Sequence, residues 1–149
     1  MDGLITIDGN DMNVAPSLIR VNEGSTLVMH DFVALTGAAS NNQIVTILGT
    51  FIMYGGSITN APMGNNVILA MFGSGRFYMH GGSITGNSTT GVELAGDDSF
   101  FRITYGEISG NARNLIGTGT AQHGNDALGW TDFLPPVYDN IVVTDGVLQ

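Results

Sequence analysis

The sequence predicts an all-β fold, a parallel β-helix of about five coils, each made of three short strands. Three observations predict it. A degenerate repeat with a period of about 25 residues runs through most of the chain. Within each copy, apolar residues alternate with a period of two, as in strands, and not with the 3.6 of helices. The composition combines 43% hydrophobic residues and 22 glycines with only 11% charged residues. That is too apolar for a disordered chain and too glycine-rich for helices.

Four segments carry the repeat: Gly24 to Gly37, Gly49 to Asn60, Gly75 to Asn87 and Ser99 to Asn111. A fainter copy, Ile5-Thr-Ile-Asp-Gly-Asn10, opens the chain. The repeat-ending positions Gly9, Gly37, Asn60, Gly86 and Gly110 lie 28, 23, 26 and 24 residues apart. One strand of each coil carries the alternation Phe51-x-Met53, Phe77-x-Met79 or Phe101-x-Ile103. A shorter strand follows with Ile58, Ile84 or Ile108. The third precedes the Phe strand, over Ser17 to Val21, Gln43 to Leu48, Val67 to Phe72 and Gly91 to Ala95. Gly55-Gly56 and Gly81-Gly82 mark a corner that needs positive φ or close backbone approach.

Stacking the coils lines up like with like. Leu27, Phe51, Phe77 and Phe101 form one interior column; Met29, Met53, Met79 and Ile103 form a second; Leu35, Ile58, Ile84 and Ile108 form a third. Each coil alone buries almost nothing, so stability comes from stacking at ~4.8 Å per rung.

The phrase Phe77-Tyr-Met-His-Gly-Gly-Ser-Ile-Thr-Gly-Asn87 resembles the repeats of right-handed parallel β-helix proteins of the pectate-lyase-like superfamily. More narrowly, it is similar to the Gly-Gly-x-Ile-x-Gly-Asn repeats of bacterial cell-surface and adhesin-like proteins. The resemblance covers roughly residues 4 to 116 and implies a right-handed coil. It implies activity less strongly, because one fold hosts lyases, hydrolases, tailspikes and passive stalks.

The repeat stops after Ile116, which divides the single domain into coils at 1–116 and a C-terminal segment at 117–149. Residues 117–129 read as a glycine-rich loop. Pro135-Pro136 bars a regular strand, and Asp145-Gly146 between apolar runs signals a hairpin. A solenoid must cover its last rung, so this segment is either a cap or a docking element for a second copy. The docking residues would be Trp130, Phe133, Leu134, Tyr138, Ile141 and Val143.

Candidate chemistry is sparse. His30 and His80 share a corner position with Tyr54 between them, two rungs or roughly 10 Å apart, too far to ligate one metal ion. His123 stands in the expected loop without an identifiable partner. Asp97 and Asp98 in a turn, with Glu93 nearby, are the nearest approach to a Ca²⁺ site, but their spacing matches no calcium loop. Adjacent turn carboxylates point apart and do not supply a glycosidase pair. Arg76 and Arg102, the candidate bases of a lyase, flank their phenylalanines on opposite sides and form no stacked pair. Asn87 and Asn111 stack at a corner, suited to an amide ladder; Asn87-Ser88-Thr89 also reads as a glycosylation acceptor.

The net charge is -9, with four Arg and 13 acidic residues, which argues against nucleic acid or an anionic membrane as partner. The absence of Cys excludes disulfides and thiolate chemistry. No apolar run reaches the roughly 18 residues of a membrane span. Met1 to Asn10 lacks a basic n-region and a long apolar core, so a leader, if the protein is exported that way, is missing from this chain. The expectation is a non-catalytic structural or adhesive module from an extracellular or cell-surface setting, without cofactor, self-associating end to end as in a filament. The rivals are a polysaccharide lyase or hydrolase fragment and a tailspike-like element binding surface glycan through exposed aromatics such as Tyr54, Tyr78 and Tyr105.

Overall fold

The computed structural model describes residues 5–9, 17–38, 43–59, 67–133, 135–137 and 139–149. They form a β-solenoid of about four turns, with no helix among the described residues. Strand β1 (Ile5–Gly9) comes first. The first complete coil is β2 (Ser17–Val21), β3 (Thr26–Met29) and β4 (Val33–Ala38). The second is β5 (Gln43–Ile47), β6 (Thr50–Met53) and β7 (Ser57–Thr59). The third is β8 (Val67–Met71), β9 (Arg76–Met79) and β10 (Ser83–Thr85). The fourth is β11 (Thr90–Leu94), β12 (Phe100–Ile103) and β13 (Gly106–Ser109). A further coil begins with β14 (Arg113–Gly117) and β15 (Thr120–Asn125).

Every strand from β1 to β15 pairs in parallel with its equivalent one coil away, which makes three flat faces. The register matches the columns read from the repeat. Leu27, Phe51, Phe77, Phe101 and then Ala121 are successive partners, and so are Met29, Met53, Met79, Ile103 and then His123. Leu35, Ile58, Ile84 and Ile108 do the same on the third face. The rings of Phe51, Phe77 and Phe101 are fully buried and stack with centroids 5.1 and 5.0 Å apart. Such contacts add ~0.5–1.5 kcal/mol each beyond the area they bury.

Parallel stacking runs beyond residue 116. The loop expected over 117–129 instead holds β15, because Ala121 and His123 continue the inward alternation of Phe101 and Ile103. His123 is therefore not a loop residue. Its ring packs on Phe133 at 5.0 Å, and Nδ1 bonds the Gly146 carbonyl oxygen at 3.1 Å.

The chain then reverses. Strand β16 (Gly129–Asp132) pairs antiparallel with β15, β17 (Ile141–Thr144) pairs antiparallel with β13, and β18 (Val147–Leu148) closes a hairpin on β17. Asp145 and Gly146 have φ of 49° and 83°, the two left-handed residues that a two-residue hairpin turn requires. These strands break the coil-to-coil parallel pattern and bring Phe133, Ile141 and Val143 into the core over the last rung.

Two corner devices hold the coils. Gly82 has φ of 86°, and a Cβ there would lie 2.5 Å from Met53 Cε and 2.7 Å from the Gly56 carbonyl oxygen, so only glycine fits. At another corner, Asn87 Nδ2 donates to Asn111 Oδ1 at 2.8 Å, and Asn111 Nδ2 donates to the Ile84 carbonyl at 2.9 Å. Asn87 is buried in this amide ladder, which withdraws it as a glycosylation acceptor.

The inside and outside of the wall are expected to differ sharply in energy. Phe77→Ala should cost about 3–5 kcal/mol, since it opens a cavity between two other phenylalanines. Tyr54→Ala, on the exposed corner between two imidazole rings, should cost about 1–2 kcal/mol, from the two ring contacts it loses. Denaturant titration checks this; equal losses would place the register one residue off.

Candidate functional site

The outward residues of the sheet formed by β3, β6, β9, β12 and β15 assemble a site at the C-terminal end of the stack. Because Phe77, Met79, Phe101 and Ile103 point inward, Tyr78, Phe100 and Arg102 point outward. Register places Tyr78, Arg102, Gln122 and Asp132 side by side on β9, β12, β15 and β16. The last of these strands is positioned by a tight turn. Asn125 Oδ1 accepts the backbone N–H groups of Ala127 and Leu128 at 3.0 and 2.9 Å, and Gly129 leaves the turn with φ of 81°. Asn125 Nδ2 also donates to the Asp145 carbonyl at 2.6 Å, which ties the turn to the terminal hairpin.

This geometry brings Trp130 over Arg102. The guanidinium carbon lies 4.2 Å from the indole ring centroid and 4.8 Å from that of Phe100. Arg102 Nε donates to Gln122 Oε1 at 2.9 Å, and Gln122 Nε2 donates to Asp132 Oδ1 at 2.8 Å. The charge is thus held in place by two rings and one side-chain amide. A cation over an aromatic ring contributes ~0.5–1 kcal/mol at such partly exposed positions. Beside this stack opens a cleft of about 360 Å³, lined by Tyr78, His80, Arg102, Thr104, Asn125, Asp126 and Trp130. It offers aromatic surface and a few hydrogen-bonding groups, the make-up of a small-ligand pocket.

The His30–Tyr54–His80 corner is a continuous ladder, with centroids 5.3 Å apart at both steps and interplanar angles of 14° and 20°. The other candidates do not converge. Asp97 and Asp98 are exposed in a turn, and Glu93 is half-buried on β11. Among the described residues no three His, Cys, Asp or Glu side chains gather around one point. Arg76 Nη1 is spent on backbone carbonyls, donating to Ser74, Gly75 and Asp98 at 2.7, 3.2 and 2.6 Å.

The expected docking residues fare differently. Phe133, Ile141 and Val143 are buried in the chain's own core, so they cap this molecule and are not free to meet a second copy. Trp130 is half-buried on Arg102. Leu134 and Tyr138 lie outside the described residues. Sequence reasoning assigned Trp130 to a docking tail and missed its pairing with Arg102. The available signal was the outward alternation Phe100-x-Arg102, together with a turn-forming Asn125 five residues before Trp130.

Comparison with protein-family models, curated proteins and solved structures finds no match to this chain.

Removing divalent metal should leave the fold untouched. The melting temperature with and without EDTA is expected to coincide, and a fall that Ca²⁺ reverses would establish a site at Asp97 and Asp98.

Proposed function

We propose that this chain is a non-catalytic structural and adhesive module of an extracellular or cell-surface protein, holding a surface glycan in the Trp130–Arg102 cleft. The observation that carries the reading is the cleft itself, in which rings and hydrogen-bonding groups face solvent from a rigid wall. The resemblance of the Gly-Gly-Ser-Ile-Thr-Gly-Asn repeat to adhesin-like proteins of the pectate-lyase-like superfamily supports it. A lyase reading would need a free base beside clustered acids, whereas Arg76 is taken up by carbonyl groups and Arg102 by two rings and an amide.

The test is binding without turnover. Immobilised protein should retain glycans from a mixed array, Trp130→Ala should lose them, and polygalacturonate should yield no unsaturated product. Product formation would replace the adhesive reading with the enzymatic one.

End-to-end self-association is a second reading, favoured by the other end of the stack. Strands β2 and β3 are sheet edges among the described residues, and a cavity of about 150 Å³ opens there between Ile19, Leu27, Val28, Met29, Val33 and Leu35. A second copy adding to these edges would bury apolar side chains and pair free backbone groups. Val28 is exposed, so Val28→Lys should abolish concentration-dependent growth in light scattering while sparing the melting temperature. Deleting residues 130–149 should instead worsen aggregation, because it uncovers the end of the core that Phe133, Ile141 and Val143 close.

A further inference from the structure

The outer ladder of rings ends at His80, and the cleft lies where its next ring would stand. His30, Tyr54, His80 and Thr104 are equivalent positions, each following an inward Met or Ile. Their backbones repeat one bond: Tyr54 N–H to Met29 O, His80 N–H to Met53 O and Thr104 N–H to Met79 O, at 2.8, 2.8 and 2.9 Å. Three of the four carry rings and the fourth carries a hydroxyl. One face of His80 is covered by Tyr54. The other faces along the axis toward the Thr104 rung, and both His80 and Thr104 line the cleft.

From this geometry we infer that the cleft binds one pyranose ring of a neutral glycan, which lies over Thr104 and stacks on His80 as the missing fourth member of the ladder. The inference rests on the glycan-binding reading above and adds its binding mode and ligand class. A ring at that level stands one rung, ~4.8 Å, beyond His80, close to the spacing within the ladder. Trp130 bounds the same space, and Thr104 and Asp126 line it with a hydroxyl and a carboxylate that can bond sugar hydroxyl groups. A planar aromatic ligand would leave these polar groups unanswered; a sugar ring has an apolar face and a polar rim.

Neutrality follows from charge. The nearest cation, Arg102, is already engaged by Phe100, Trp130 and Gln122, while Asp126 lines the cleft and Asp132 holds the neighbouring Gln122. With a net charge of -9 over the whole chain, a uronate or sialate would approach against the field.

A glycan array holding neutral and acidic oligosaccharides, read with wild type, Trp130→Ala, Thr104→Tyr and His80→Ala, decides it. Thr104→Tyr supplies the absent ring from the chain itself, so it should keep or raise the melting temperature and abolish glycan binding. Should that variant fold poorly, His80→Ala carries the test: it removes the stacking face and should weaken binding about threefold to tenfold, the size of one ring contact. Wild-type binding to neutral glycans that both variants retain, and only Trp130→Ala loses, would overturn the vacant-rung mode and leave the adhesive reading standing. A preference for acidic glycans would overturn the ligand class. Failure of the wild type to bind any glycan would overturn both readings together.

Discussion

The register between coils is the constraint on which the rest of the molecule depends. A parallel ladder places each residue directly over its equivalent, so one inward phenylalanine must be answered by another apolar group above and below. Phe51, Phe77 and Phe101 meet this with parallel rings about one rung apart. Because side chains alternate along a strand, locking the inner column also locks the outer one. The ladder of His30, Tyr54 and His80 is the external image of that register. A slip of one residue would turn both columns over together.

Ending such a stack is a separate problem, solved here by reversing the chain. After β15 the strands run antiparallel, and Phe133, Ile141 and Val143 are buried at the last rung. The inner columns shrink at this end: Ala121 follows Phe101, and a histidine follows Ile103. Phe133 comes in from the tail, its N–H bonded to the Ala121 carbonyl at 2.8 Å. On the outside the column of rings ends one coil earlier, where Thr104 follows His80, and both residues line a cleft bounded by Trp130.

The coils were legible in the sequence because their information is local and repeated. Phe51-x-Met53 and Phe77-x-Met79 report the same alternation, and the Gly-Gly corners fix where one strand yields to the next. The site was legible only in part. Tyr78, Arg102 and His80 could be placed outside by counting in twos. Their meeting with Trp130 depends on β16 folding back, and the signals for that occur once: the Asn125 turn and the hairpin at Asp145-Gly146. Without a repeat to average over, residues 117–129 read as a loop although Ala121 and His123 keep the inward pattern. Likewise the apolar residues of the tail suggested a docking surface, since nothing in a linear pattern distinguishes a residue that covers its own core from one that covers a neighbour's.

Trp130 is the only tryptophan in the chain, so its fluorescence reports on the cleft alone. Titrating the purified protein with a panel of soluble neutral polysaccharides while following that emission tests the central claim most directly. The account predicts a saturable change in Trp130 emission with at least one of them and none with polygalacturonate. Glycan retention on a surface with no change in Trp130 emission would show that the ligand binds elsewhere, and would contradict it.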